Sequence, residues 1–325
     1  MEDDREQDNA SRGGHGQEAR KFGHVSVLLQ EAIDFLAIRR GGTYIDATLG
    51  LGGHSCEIAK RLGAQGRLIG FDKDPRALEL AHKRLAETAK EMPNDFPGLT
   101  LLHASYAEVA ERVAAGTADG LLADIGVSSM QFEDAARGFS FQAEGPLDMR
   151  MDPHGEISAD QVVNQFDEET LANLIYEFGE ERRSRRIARA IVRARPIRTT
   201  AHLAQVISAA ARPMNQAERR IHPATLTFQA IRIFVNRELE DLKALLEAAP
   251  RVLKPGGRLV VISFHSLEDR IVKDALRDGA RQGVWNILTK KPVTATEEEI
   301  DRNARSRSAK LRAAEKEKQQ QRMRK

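Results

Sequence analysis

Four short apolar runs alternate with stretches of helical spacing between residues 43 and 126, and this rhythm restricts the fold more than any other feature of the chain. The runs are TYIDATL (43–49), RLIGFD (67–72), LTLLHAS (99–105) and DGLLADIG (119–126). Between them, HSCEIAKRLG (54–63) reads as a helix closed by Gly63, and Asp74-Pro75 supplies the N-cap and first turn of a long helix. A further helix is expected through Val113. Strands spaced by helices in this way make βαβ units, whose right-handed crossovers build a parallel sheet covered on both faces. The rhythm stops after Gly126. Residues 127–158 read as loop, 159–249 as helices only, and a strand returns at GGRLVVISFH (256–265) behind the turn KPGG. The expected architecture is α/β, a Rossmann-like sheet carrying an all-helical insertion before its fifth strand. From Arg270 another helix is expected, then an irregular stretch around Trp285.

Composition removes several classes of protein. The single cysteine, Cys56, excludes an internal disulfide and argues against a cysteine-based zinc site, as expected in a reducing cytoplasm. The nine histidines form no metal-ligand spacing, so no metal is expected. No apolar run approaches the roughly 20 residues of a membrane span, and the N-terminal MEDDREQDNASRGGHG has no apolar signal core. Residues 1–21 are read as a disordered tail. The 50 basic and 48 acidic residues leave a formal charge of only +2, yet residues 302–325 hold ten basic residues against two acidic, a net of +8. The remaining chain is therefore −6, and contact with a polyanion is expected on a few surfaces only.

The first strand runs into Asp46-Ala-Thr48-Leu-Gly50-Leu-Gly52-Gly53-His54. Glycines here permit positive φ and a close backbone approach to a ligand, and the following helix N-terminus offers unpaired N–H groups. A dinucleotide loop needs a third glycine where this chain has Ser55, and its pyrophosphate has no use for a carboxylate such as Asp46. S-adenosylmethionine (AdoMet) carries a sulfonium and an ammonium, which a carboxylate attracts. The loop thus suits AdoMet better, although a tight turn without ligand also produces such glycines. Asp72, at the end of the second strand, is placed to accept both ribose hydroxyls rather than to serve as a solvated acid. Tyr106, beyond the third strand, is a candidate to pack on the adenine, or merely against its neighbours.

The fourth strand ends in Ala123-Asp124-Ile125-Gly126-Val127-Ser128-Ser129-Met130-Gln131. Ligands in open α/β sheets sit beyond the carboxyl ends of the strands, so a carboxylate, two hydroxyls and an amide fall at the expected crevice. If the reaction methylates an exocyclic amine, whose lone pair is delocalised into its ring, an acceptor for the amine N–H would help, and Asp124 is the candidate. A structural cap, or a contact to the cofactor alone, is the plainer reading. The Asn/Asp-Pro-Pro-aromatic loop that one family of amino-methyltransferases uses at this place is not matched here.

Longer strings carry a resemblance. HVSVLLQEAI, GLGGHS, DIGVSSMQF, RGFSF (137–141), GPLDMRMD (145–152), GEERRSRRIARAIV (179–192), HPATLTFQAIRIFVN (222–236), LKPGGRLVVISFHSLEDRIVK (253–273) and NARSRSAKLRAAEK (303–316) together resemble the MraW family, the bacterial small-subunit ribosomal RNA methyltransferases H, over roughly residues 22 to 316. The resemblance implies a class I AdoMet-dependent methyltransferase sheet with an inserted helical domain. It implies methylation of cytidine N4 in the decoding (P-site) region of 16S rRNA. It also implies cofactor contacts at Gly52, Gly53, His54, Asp72, Tyr106, Asp124 and Gln131. Met130 stands where the family often has Pro, Ala47 where it often has Gly, and Tyr106 where Phe is common; none of these alters a polar contact. The corresponding division is a tail 1–21, a methyltransferase domain in two parts (22–135 and 241–300), an inserted substrate-recognition domain 136–240, and a basic tail 301–325.

Eight arginines crowd residues 182–198 beside an apolar stripe of Ile187, Ala190, Ile191 and Ala194, so they are expected to face outward. Arg182, Arg186 and Arg189 are taken as RNA contacts; a solvated, salt-bridged face is the alternative. Ser128 and His265 are placed by position beside a flipped target base, with a structural histidine an equal reading at 265. Two rival functions remain open at this stage: an RNA-binding assembly factor without turnover, and a small-molecule or DNA methyltransferase on the same sheet. The expected partner is 16S rRNA in the small subunit, with no membrane and no obligatory protein partner.

Overall fold

The computed structural model describes residues 26–211 and 222–318. The expected tail at 1–21 and the last basic residues, 319–325, lie outside the described residues. A helix α1 (Leu29–Leu36) precedes the alternating region, which consists of β1 (Thr43–Asp46), α2 (Gly53–Leu62), β2 (Arg67–Asp72), α3 (Pro75–Glu91), β3 (Gly98–His103), α4 (Val109–Arg112) and β4 (Ala118–Asp124). Local chemistry fixes the boundaries. Asp74 accepts from Arg76 N–H at 3.0 Å as N-cap and Pro75 occupies the first turn of α3. Gly52, at φ 74°, takes the left-handed corner that starts α2.

After β4 come α5 (Ser129–Glu133) and the inserted helices α6 (Ala159–Gln165), α7 (Glu168–Gly179), α8 (Ser184–Ala194), α9 (Thr200–Ala210) and α10 (Thr225–Asn236). The chain returns through α11 (Glu238–Val252), β5 (Leu253–Ser263), α12 (Ser266–Arg281), β6 (Trp285–Ile287), α13 (Glu297–Arg302) and β7 (Lys310–Lys316). The sheet order is β3-β2-β1-β4-β5-β7-β6. Strands β1 to β5 are parallel, and β7 runs antiparallel to both β5 and β6. The order reverses between β1 and β4, which opens a crevice at their carboxyl ends.

Two apolar layers cover the sheet, one with Leu242, Leu245 and Ala249 of α11 and one with Leu36, Ile58 and Leu85 of α1 to α3. The inserted helices close a separate core around Val162, Leu171, Ile187, Leu203 and Ile231. The α/β sheet with a helical insertion is therefore as expected.

The C-terminal stretch differs from the sequence reading. Residues from 301 were assigned to a basic tail, but 310–316 form a strand inside the sheet. Leu311 and Ala313 bury one face, while Ala314 and Arg312 take the other. Arg312 is held at 2.6 Å by Asp269 of α12. The segment hides its strand character because it lacks β-branched residues and because its buried cation is matched by an acid 43 positions away. The stretch around Trp285, read as irregular, pairs with it as β6. Strand β5 likewise starts at Leu253, before the glycines of KPGG, with a register shift between Ala118 and Gly120. Truncating the fully buried Leu311 to Ala is expected to cost about 2–5 kcal/mol in denaturant unfolding; a midpoint unchanged from wild type would place this segment outside the folded unit.

Candidate functional site

The crevice at the reversal is walled by the β1–α2 loop (Thr48, Gly50, Leu51, Gly53, His54), the end of β2 (Asp72), Tyr106 after β3, and the end of β4 with its following turn (Asp124, Ser128, Gln131). Asp72 lines the crevice at the end of β2. Its Oδ2 accepts from Gly50 N–H and its Oδ1 from Asp74 N–H, both at 2.8 Å. Each oxygen keeps a lone pair for a further donor. Burial raises its pKa to about 6, against the lowering by those two N–H groups.

Asp46 is not on the crevice wall, contrary to the expectation that it would meet the cofactor's cations. It is buried behind the loop, where Ser55 Oγ donates to its Oδ2 at 2.6 Å and Thr48 N–H to its Oδ1 at 3.2 Å. Burial raises its pKa to about 6. The serine that replaces a third glycine is thus the partner of this carboxylate, and together they shape the loop.

Asp124 lies on the wall at the end of β4. Its backbone N–H donates to Thr48 Oγ1 at 2.6 Å, tying β4 to the β1 loop. Its Oδ1 is buried without a hydrogen-bond partner, and its Oδ2 lies 3.7 Å from His54 Nδ1. Burial, then the charge of Asp46, push its pKa up to about 8, with Arg305 acting in the opposite direction. His54 is bonded through Nε2 to Val27 O at 3.1 Å, and burial lowers its pKa to about 4, so it is neutral. A partly buried acid with a buried, unpartnered oxygen, to which no cation among the described residues is bonded, fits a ligand that brings positive charge, as AdoMet does. The donor set therefore fits this cofactor: Asp72 for the ribose, Asp124 for the cationic end, and Gly50 and Gly53 for close backbone approach.

A consequence is measurable. Pairing with a cation requires Asp124 to be ionised, so binding releases a proton whenever the pH lies below about 8. AdoMet affinity is then expected to rise from pH 6 to 7.5, by at most about tenfold per pH unit. Calorimetry across pH checks this; equal pH dependence in Asp124→Asn would assign the proton to another group.

The remaining site residues divide. Gly53 lines the wall, and a Cβ there would meet Ser26 Oγ at 2.0 Å, whereas Gly52 serves the turn behind it. Tyr106 lines the wall, and its hydroxyl donates to Glu238 O at 3.4 Å. Gln131 reaches the wall, but its amide is committed to Ser128 N–H at 3.0 Å and to Asp74 Oδ2 at 2.9 Å. Ser128 caps α5, accepting from Gln131 N–H. His265 does not line the crevice. It caps α12, with its Nε2 at 3.0 Å from Glu268 Oε1 but out of hydrogen-bond alignment. Glu238, His265 and Glu268 bring ligand-type atoms within 4.8 Å of one another, yet Arg232 occupies both Glu238 oxygens at 2.8 Å. Arg182, Arg186 and Arg189 are exposed on the insertion, away from the crevice wall, and Arg189 pairs with Glu168.

Arg305 escaped the sequence reading. It lines the crevice from the turn before β7 and donates to Val127 O and to Ser129 Oγ, spanning the rim next to Asp124. Its sequence signals were membership of the basic stretch 302–325 and of the string NARSRSAKLRAAEK, neither of which points to the crevice.

A doubly covered sheet of five parallel strands and an antiparallel β7, reversed between β1 and β4 with an acid at each of the β2 and β4 ends, defines a class I AdoMet-dependent methyltransferase. Residues 21–317 match the MraW methylase family, to which the chain belongs. It is 73% identical to the ribosomal RNA small subunit methyltransferase H of Koribacter versatilis, over 96% of this chain and 99% of that one. It is 64% identical to the protein of the same description in Acidobacterium capsulatum (90% and 98% covered), and 51% to that in Sorangium cellulosum (90% of each). Among the described residues no helix is long and apolar enough to cross a membrane.

Proposed function

We propose that the protein methylates the N4 amine of one cytidine in the decoding (P-site) region of 16S rRNA, in the cytoplasm, acting on the small ribosomal subunit without an obligatory protein partner. The observation that carries this reading is Asp124: a carboxylate at the end of β4, on the crevice wall, with Oδ1 buried and unpartnered. The relatives' shared description as small-subunit rRNA methyltransferases supports the substrate class.

When bound, AdoMet supplies an electrophilic methyl group and a positive charge. Asp124, ionised beside that charge, accepts a hydrogen bond from the target N–H, which keeps the nitrogen lone pair aligned for attack. Asp72 holds the ribose and fixes the β1 loop through Gly50 N–H. Gly126, at φ 119° with only Phe264 near its missing Cβ, leaves room for a flipped base at the mouth. Ser128 stays in its capping role and shapes the rim. His265 keeps Glu268 and α12 in place rather than touching the base.

The test offers labelled AdoMet with isolated small subunits, naked 16S rRNA or DNA, and identifies the labelled nucleoside by mass spectrometry. N4-methylcytidine from rRNA is expected. Label on DNA alone, or AdoMet binding without turnover on any RNA, would support the rival readings instead.

A further inference from the structure

The run GEERRSRR (179–186) looks self-neutralising in sequence, but the structure separates its charges. Glu180, in a left-handed corner at the end of α7, turns to Ser266 Oγ (2.5 Å) and Arg270 (3.0 Å). Glu181 is buried and accepts from Arg183 N–H at 2.8 Å. Arg183 donates to Ala211 O at 3.5 Å. Arg182, Arg185 and Arg186 are left exposed, and among the described residues no ion pair engages them. They wall a surface hollow whose lining among the described residues holds no carboxylate, and which is closed on its α7 side by Asn173 and Tyr176.

Tyr176 is 62% exposed, more than any other large hydrophobic side chain among the described residues. It packs in no apolar cluster, although Leu174 and Ile175 beside it are buried. An aromatic ring in open solvent, framed by guanidinium groups, suits a ligand with both a π face and a negative backbone. Carboxylate side chains supply charge but no ring to stack, and a base-paired duplex hides its faces. The Glu180 contacts tie this hollow to the start of α12, immediately after the carboxyl end of β5, on the side of the sheet that opens into the crevice.

We infer that Tyr176 with Arg182, Arg185 and Arg186 forms a single-strand RNA subsite, in which an unpaired base flanking the target stacks on the Tyr176 ring and the arginines hold its phosphates. This rests on the reading that the substrate is RNA, and it adds an anchoring point outside the crevice.

Binding of a fluorescent single-stranded oligoribonucleotide to the full-length protein tests it. Tyr176→Ala is expected to weaken binding about 5- to 100-fold, whereas Tyr176→Phe retains most of the affinity. Tyr176→Trp should bind and lose indole fluorescence on saturation; the only native tryptophan, Trp285, is buried and gives a steady background. Arg182→Ala, Arg185→Ala and Arg186→Ala should each reduce the slope of log K against log salt by about 0.7. In methyl transfer the Tyr176→Ala defect is expected in KM for RNA. Wild-type affinity in Tyr176→Ala, an equal loss in Tyr176→Phe, or a loss seen only with the assembled subunit and not with bare RNA would each overturn the subsite, the last by assigning the hollow to a protein. If wild type methylates RNA and Tyr176→Ala shows a wild-type KM, this inference alone fails. If wild type methylates no RNA, the functional reading fails first.

Discussion

Asp124→Asn is expected to lower the rate of methyl transfer by about 10²- to 10⁴-fold, the range typical for removing a positioned acid–base group. Asn fills the same space and keeps the backbone bond to Thr48 Oγ1, so β4 stays tied to the β1 loop. What is lost is a full negative charge with an unoccupied oxygen on the crevice wall. The same change should not destabilise the fold. Burial first, and Asp46 second, raise the Asp124 pKa to about 8, well above the value near 4 of an unfolded chain. The folded state therefore holds the extra proton between those values, and its stability falls as the pH rises from about 4 to 8. Asn carries no such dependence. At pH 8 the variant is expected to melt at or above the wild-type temperature while being nearly inactive, a trade of stability for function. A clear drop in melting temperature would make Asp124 a structural cap instead.

Asp72→Ala is expected to weaken AdoMet binding about 10²-fold or more while leaving RNA binding close to wild type. The carboxylate is asked to do two things at once. It keeps capacity for the ribose hydroxyls, and it already holds Gly50 N–H and Asp74 N–H at 2.8 Å. Hydrogen bonds to a charged group are worth about 1.5–3 kcal/mol each, and here the partners left behind are the ligand loop and the start of α3. Asp72→Asn keeps one oxygen and should fall between the two. Titration calorimetry with AdoMet reads this directly, and wild-type affinity in Asp72→Ala would remove the residue from the cofactor site.

The parts of this protein legible in its sequence were those set by local rules. Short strands, Asp74-Pro75 at a helix start and glycines at a corner each signal within a few residues, and they place Asp72 and Asp124 at strand ends because a parallel sheet puts its strand ends together. What failed was longer in range. Asp46 reads as a ligand carboxylate until Ser55 is seen to occupy it, nine residues on. Lys310–Lys316 reads as a basic tail because its burial depends on Asp269 and on strands β5 and β6. Arg305 reaches the crevice from 181 residues beyond Asp124, and no periodicity in the chain announces such a contact. In GEERRSRR the acids and bases look paired, and only the turning of Glu180 to Ser266 and Arg270 and of Glu181 to the interior leaves Arg182, Arg185 and Arg186 exposed.

The most direct measurement is single-turnover transfer from labelled AdoMet to small-subunit RNA, at saturating concentrations of both, with wild type and Asp124→Asn compared and the labelled nucleoside identified. The expected result is label in N4-methylcytidine alone, formed at least about 10²-fold more slowly by the variant. Label in a different nucleoside, or a variant rate equal to wild type, would contradict the assignment of this crevice and of Asp124 within it.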